Sequence, residues 1–547
     1  MRVSPSERTF VLLNAHLKGA PYLLGSGQKA LGLEHLRAGL KSRGIKDEQI
    51  TMLPAADNFT LDHFYNNRLK DTRTFKADLD ATITDPEKTV LAITANTADY
   101  MTLAYMMPFF RARYPGLTIV LGGKHFQREK VADSQGKKIY DPVEIALALK
   151  ENGGLGADAV VDGHMGPFLD FATNHYGAIT DFDAPGFFHE ESIGREVSRH
   201  DRGYYPELSS VPYVVSHTVE RNGKQLIDFA TDETCPNNCG YCCTNKGKLG
   251  FSDQVVDAFF RDIHSGGRIV YAVGANPNAF QGKNSQMLRV MDKIGIGNLM
   301  RLPKSISLDP SIVSTPDGMS LFYKILGLGF ISFFFGMERV DAPIANRLGV
   351  RLNGRNKSQA QLDAESASLK RVITEILPSY KHKVLVPTFG DNAKHLRLTV
   401  MMSYILTPFE TRETALSNAE EINKFKRLSN DDVVVDVRVS ALAPYPGTAI
   451  RRQLLYQDLV VTPQDFSTFG SQFCNWDHRL GAPVALLEQL ARLRSINCEI
   501  RHASPFYVKD EPFDQTFRRL ADAVFSGQVG IMDQQAKNAL YARWLHF

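Results

Sequence analysis

Four of the chain's six cysteines stand together in the run Thr234-Cys235-Pro236-Asn237-Asn238-Cys239-Gly240-Tyr241-Cys242-Cys243, and the other two are Cys474 and Cys498. Thiols packed this densely, in a chain otherwise poor in them, point to a metal. Cys235, Cys239 and Cys242 have the spacing C-x3-C-x2-C, with Tyr241 directly before the third thiol. Three thiolates on one short loop can hold three irons of a cubane four-iron–four-sulfur cluster and leave the fourth iron open. Zinc is the competing metal, but structural zinc usually draws two ligand pairs from separated segments. No second Cys/His pair lies nearby. Cys242 and Cys243 are adjacent, which makes joint chelation awkward, so Cys243 reads as a neighbour rather than a ligand. Disulfides are not expected, because no secretory segment is legible and the thiols are few for a secreted scaffold.

The elements that must position this loop belong to a long chain. At 547 residues, length allows about three to four domains and a large core. Hydrophobic residues make up 43% and charged residues 22%, the balance of an ordinary globular protein. A net charge of +3, with basic residues scattered, implies no polyanionic partner, and nucleic acid is not expected. The apolar run Met319–Met337 approaches membrane-spanning length, but it contains Lys324 and is divided by Gly327 and Gly329. It reads as a helix feeding a buried strand, not as a membrane segment. A cytoplasmic location is expected.

From the start of the chain, short apolar runs alternate with helical patterns, which predicts an α/β domain with a doubly wound parallel sheet. The expected strands are Phe10–Asn14, Ile50–Leu53, Thr89–Thr94, Thr118–Leu121 and Ala157–Val161, with an amphipathic helix at Gly32–Leu40. In such sheets ligands dock at the carboxyl ends of strands. Here those ends carry Asn96, the pair Gly122-Gly123 with His125, and Gly163. Residues 172–224, with several prolines and little periodicity, read as a linker.

Strand and helix patterns resume at residue 225. Strands are expected at Leu226–Thr231, Arg268–Val273, Met300–Ser307, Phe330–Phe335, Leu398–Leu406 and Val433–Leu442, with the cysteine loop at the carboxyl end of the first. A helix is expected at 253–263. Beyond residue 455 the pattern becomes helical, notably at Pro483–Asn497 and Phe513–Phe525, and Cys474-Asn475-Trp476-Asp477-His478 is a polar and aromatic cluster there. It reads as a substrate contact or a packed turn.

The cysteine loop, with its spacing and Tyr241, resembles the signature of the radical S-adenosylmethionine (SAM) superfamily. Later segments resemble the same superfamily in the subgroup that carries cobalamin domains. They are Gly336-Met337-Glu338 after the fourth strand, Pro408-Phe409-Glu410-Thr411 after the fifth, and Pro444-Tyr445-Pro446-Gly447-Thr448 after the sixth. Upstream, the order of strands with IVLGGKH and ADAVVDGHMGPFLDF resembles the cobalamin-binding domain fused ahead of many of these enzymes. One departure is clear: Asn14-Ala15-His16-Leu17-Lys18-Gly19 keeps a histidine and a glycine at D-x-H-x-x-G spacing, with Asn14 in place of the aspartate. Many radical SAM relatives lack that motif.

The resemblance implies a cobalamin-binding Rossmann-like domain (1–171), a partial (βα)6 barrel (225–455) and a helical substrate-binding region (456–547). It implies that Cys235, Cys239 and Cys242 hold a 4Fe–4S cluster whose open iron chelates SAM, and that cleavage of SAM gives a 5′-deoxyadenosyl radical. Tyr241, Gly274, Ala275, Asn276, Arg301, Ser307 and Glu338 are the implied contacts to the cluster and SAM. Thr411 is expected to cap a helix, and Arg301–Glu338 reads equally as an ion pair. Asn96, Gly122, Gly123, His125 and Gly163 are the implied cobalamin contacts. The implied reaction is methylation of an unactivated carbon, or of a phosphinate phosphorus, in a small biosynthetic intermediate. A reductase, flavodoxin or ferredoxin would be the electron-donating partner. A cobalamin-independent radical enzyme on a vestigial cobalamin fold, and a zinc-stabilised binding module, are the alternatives.

Overall fold

The computed structural model describes residues 4–15, 31–53, 73–95, 100–123, 125–126, 128, 131–132, 138–139, 141–148, 154–162, 165–192, 216–219, 225–229, 237, 239–242, 269–274, 304–327, 329–352, 354–407, 409, 411–442 and 444–457. It divides into two compact units, which change over in sequence at Ile227/Asp228.

In the first unit, β1 (Thr9–Asn14), β2 (Ile50–Met52), β3 (Thr89–Thr94), β4 (Thr118–Gly122) and β7 (Ala159–Val161) form a parallel sheet in the order β2-β1-β3-β4-β7. A small ribbon of β5 (Val131–Ala132) and β6 (Lys138–Ile139) stands apart from it. The four innermost residues of β1 are buried, as a central strand covered on both faces requires. Helices α1 (Leu31–Ser42), α2 (Arg73–Thr82), α3 (Tyr100–Arg113), α4 (Pro142–Leu147) and α5 (Gly166–Asn174) make the crossovers. Leu33, Leu40, Phe168, Leu169 and Phe171 from α1 and α5 join Phe10, Leu12, Val90 and Val120 in one core. The chain runs out from β1 to β2 and then returns to β3 on the other side of β1, so the topological switch lies between the ends of β1 and β3.

The stretch expected as a linker is not uniform. Its early part builds β8 (Phe187–Phe188), which pairs antiparallel with β7 and closes the sheet edge. Phe182 and Phe187 pack on Phe171, with ring centroids 5.6 and 5.3 Å away. A two-residue strand is too short to show alternation, so its sequence reads as aperiodic.

The second sheet has the order β17-β16-β13-β12-β11-β10-β9 among the described residues. Its strands are β9 (Ser216–Val219), β10 (Gln225–Phe229), β11 (Ile269–Gly274), β12 (Lys304–Leu308), β13 (Phe330–Glu338), β16 (Leu398–Leu406) and β17 (Val433–Ala441). The sheet pairs β11–β12, β12–β13, β13–β16 and β16–β17 are parallel, and the described helices between β12 and β17 are the crossovers that parallel strands need. α6 (Ser311–Ser314) and α7 (Pro316–Gly327) lead to β13, so the apolar run is indeed a helix feeding a strand. No helix among the described residues is long and apolar enough to cross a membrane.

After β13 come α8 (Ala342–Leu348), a hairpin of β14 (Arg351–Leu352) and β15 (Arg355–Asn356), and α9 (Gln359–Arg371). α9 continues through π turns at Val372–Ile376 and Lys381–Leu385. Pro378 and Pro387 follow these turns, and a wider turn accommodates a residue that has no N–H to donate. α10 (Arg412–Lys426) and α11 (Ala449–Tyr456) follow β16 and β17. The helices expected at 253–263, 483–497 and 513–525, and the 474–478 cluster, lie outside the described residues.

β13 runs three residues beyond its expected end at Phe335. The small Gly336 and charged Glu338 resemble a loop in sequence. In the structure both still pair with β16, across a register irregularity between them.

Candidate active site

The centre of the second unit is a turn holding two of the three predicted ligands. The Cys242 N–H donates to the Cys239 carbonyl at 3.3 Å, and both thiols are unoxidised and half-buried. Cys235 lies outside the described residues. The turn is pinned by main chain on both sides of Cys239-Gly240. The Arg351 N–H donates to the Cys239 sulfur at 3.4 Å, and the Gly240 N–H donates to the Gly349 carbonyl at 2.9 Å. The Ile450 N–H, in the first turn of α11, donates to the Gly240 carbonyl at 3.1 Å. Gly240 is required by this approach, because a Cβ there would stand 2.8 Å from the Leu348 carbonyl oxygen. Its opposite number, Gly349, caps α8 with φ +68°, the left-handed conformation that glycine adopts freely.

Burial raises the Cys239 thiol to about 12, only partly offset by the Arg351 N–H. A metal binding there would therefore displace the thiol proton. The Tyr241 hydroxyl is likewise held well above its ordinary value, chiefly by burial.

Glu338 ends β13 beside this turn. It has φ +55°, which for a residue with a side chain is a strained conformation. The strain swings its carboxyl back over Gly336, where a Cβ would meet Glu338 Oε1 at 2.8 Å. Ser403 Oγ on β16 lies 3.4 Å from that same oxygen, and Tyr241 also hydrogen-bonds the carboxyl. Crowding of protein atoms around the group raises it to about 7 against these two donors. Arg339, next in sequence, is fully committed elsewhere: it pairs with Asp341 at 2.6 Å and donates to the Ile405 carbonyl at 3.1 Å.

Gly274 ends β11, and Ser307 lies half-buried on β12. Ala275, Asn276 and Arg301 lie outside the described residues, and with Arg301 goes the expected Arg301–Glu338 pair. Thr411 and Thr448 cap α10 and α11, accepting from the Thr414 and Arg451 N–H groups, as the first was expected to do.

Sequence reasoning missed the hairpin β14–β15 and what it carries. The strands pair in the register Arg351↔Asn356 and Leu352↔Arg355, with Gly354 at φ +78°, and the sequence between them is Asn-Gly. Asn-Gly is the strongest short-range hairpin signal, and it was present to be read. This hairpin sets Arg351 against Cys239 and buries Lys357 between Asp309 and Glu365, at 3.1 and 2.8 Å.

In the first unit, Gly122 and Gly123 differ. Among the described residues, a Cβ on Gly122 would meet nothing nearer than Val161, at 4.0 Å, at the carboxyl end of β4. Gly123, at φ +108°, is already occupied: a Cβ there would lie 2.4 Å from the Ala95 carbonyl oxygen. His125 is fully buried, its ring edge-on to Phe126 at 4.9 Å. Asn96, Gly163 and His16 lie outside the described residues.

No family model and no curated protein matches the chain in sequence. Among solved structures it is similar to the radical S-adenosylmethionine methyltransferase TsrM from Kitasatospora setae, solved with cobalamin and a 4Fe–4S cluster. That match has 15% identity and a TM-score of 0.53, covering 83% of this chain and 78% of that one. It is also similar to the cobalamin-dependent S-adenosylmethionine radical enzyme OxsB with aqua-cobalamin bound, at 10% identity and a TM-score of 0.50, covering 98% and 75%. The chain has the fold of the cobalamin-dependent radical SAM enzymes.

Cys239 and Cys242 form a half-buried thiol pair on a turn held by main-chain bonds, which suits an iron–sulfur cluster. The end of β4, where no described residue lies closer than 4.0 Å to a Cβ on Gly122, in a sheet with its switch between β1 and β3, suits a large flat ligand at the strand ends.

Proposed function

We propose that this chain is a radical SAM enzyme that holds a 4Fe–4S cluster through Cys235, Cys239 and Cys242. We further propose that it uses cobalamin to methylate an unactivated carbon, or a phosphinate phosphorus, in a small biosynthetic intermediate. The observation that carries the reading is the Cys239–Cys242 turn, fixed by backbone against Gly349 and Arg351 in a fold shared with TsrM and OxsB. When bound, the cluster and SAM would supply a 5′-deoxyadenosyl radical, and cobalamin a transferable methyl group.

The chain's own residues bind and position. The rigid turn fixes the thiols, so that few chain motions accompany cluster loading. Glu338, held in a strained conformation at the sheet end, offers a carboxyl to a hydroxyl or ammonium of SAM. Gly274 and Ser307, at the ends of β11 and β12, are the further contacts proposed for SAM. Gly122 is the contact proposed to admit the cobalamin ring at the first sheet, and Asn96, Gly123, His125 and Gly163 are the further contacts proposed for cobalamin. The electron enters from a reductase, flavodoxin or ferredoxin.

Anaerobic reconstitution with iron, sulfide and hydroxocobalamin, then desalting and metal analysis, tests the reading. About four irons and one cobalt per chain are expected. Iron without cobalt moves the assignment to a cobalamin-independent radical enzyme. Zinc retained in place of iron, without a broad visible absorption, overturns both.

A further inference from the structure

A buried polar network behind the cysteine loop has no part in the function described so far. Asp309 follows β12, and its carboxyl accepts from Asn237 Nδ2 at 2.9 Å and from the Ser311 N–H at 2.9 Å. Lys357 Nζ donates to both carboxylate oxygens of Asp309, at 3.1 and 3.4 Å, and to Glu365 at 3.0 Å. Lys357 is 2% exposed, Glu365 1% and Asn237 4%. The network joins four parts of the second unit: the cysteine loop, the end of β12, the hairpin that follows α8, and α9. Asn237 stands in the loop between Cys235 and Cys239, and the hairpin that delivers Lys357 also delivers Arg351 to the Cys239 sulfur.

We infer that Lys357 is a positioning residue for the cysteine loop: its ammonium, fixed between Asp309 and Glu365, orients the Asp309 carboxylate that receives the Asn237 side chain. Without Lys357, two carboxylates face each other in a buried space, and one must take a proton or turn away. Asp309 then loses the fixed orientation in which it accepts from Asn237. The loop keeps its main-chain bonds to Gly349 and Ile450 but loses its side-chain anchor on the other side of Cys239. A lysine at this place serves where an apolar residue would not, because the acceptor it holds must itself accept from the loop.

This inference deepens the proposed function, and its test reads loop order separately from iron. Lys357→Met is compared with Lys381→Met in the full chain. Lys381 is also a buried lysine of the second unit, paired with Asp432 at 2.9 Å, but it lies on the helical run that continues α9 and its partner precedes β17. Both variants lose a buried ion pair, so Lys381→Met controls for general destabilisation. In metal-free protein, hydrogen exchange at the Gly240 amide is expected to rise at least tenfold in Lys357→Met and to stay within twofold in Lys381→Met. After reconstitution, Lys357→Met is expected to retain less than half the wild-type iron.

Asn237→Ala and Asp309→Asn, singly and combined, give the second check. If Asp309 acts on the loop through Asn237, the double variant raises Gly240 exchange no more than the larger single change. An unchanged Gly240 amide in folded Lys357→Met, or additive single effects, overturns the inference. If wild type takes up no iron while the exchange pattern holds, the loop anchor stands and the cluster reading falls.

Discussion

The two units treat polar residues at strand ends in opposite ways. In the first, His125 is fully buried, and Gly123 has no room for a side chain because a Cβ there would meet the Ala95 carbonyl. At Gly122, no described residue lies closer than 4.0 Å to where a Cβ would stand. In the second, Asp309, Glu338 and the cysteine turn come from different segments and face common partners, and the backbone strain at Glu338 is spent on that convergence. The contrast shows that a polar residue beside a strand end is a weak indicator by itself. Charge partners from several elements, or space that a Cβ would not fill, distinguish a site from a turn.

The largest expected effect breaks this contrast at its tightest point. Gly240→Ala places a Cβ 2.8 Å from a main-chain oxygen that has no free rotor. Reconstituted Gly240→Ala is expected to hold less than one iron per chain by metal analysis, with cobalt retention unchanged. Equal loss of both would show that the first unit depends on the turn.

Next comes the glycine pair of the first unit. Gly123→Ala combines φ +108° with main-chain contacts below 3 Å, and thermal or denaturant unfolding should show a loss of about 2–4 kcal/mol. Gly122→Ala should lie within about 1 kcal/mol of wild type in the same measurement, yet retain less cobalamin after desalting. Equal stability losses would contradict this difference between the two glycines.

The buried carboxyl of Glu365 gives a pH test. Burial raises it to about 7 from 4.5, although Lys357 opposes the rise. The folded state therefore holds a proton that the unfolded chain releases earlier. Its contribution to stability is full below about 4.5 and is lost as pH rises through about 7, a change of at most about 3 kcal/mol. Glu365→Gln should flatten the slope of unfolding free energy between those values. Glu338 shifts in the same direction, so some slope remains in the variant.

The smallest effect is at a cap. Thr448→Ala removes the acceptor for the Arg451 N–H at the start of α11, and should cost about 1 kcal/mol in denaturant unfolding. Because the Ile450 N–H reaches the Gly240 carbonyl, a modest rise in Gly240 exchange should accompany it.

Much of this protein was decided within short windows of its sequence. β3 and β16 fall where alternation and apolar runs place them, because a buried parallel strand needs a continuous apolar segment whatever surrounds it. Thr411 caps its helix through a hydrogen bond three residues away, a distance any sequence window contains. The thiol spacing at Cys239 and Cys242 is local for the same reason. Tertiary structure decided the rest. Phe187–Phe188 became a strand only because β7 offered an edge to pair with. Gly240 became indispensable only because Gly349 folds against it, and Lys357 joined the cysteine loop only through Asp309, from the far end of a hairpin. Such contacts join residues 26 to 109 positions apart, and no local pattern of apolarity or spacing encodes which distant carboxylate a buried lysine will meet.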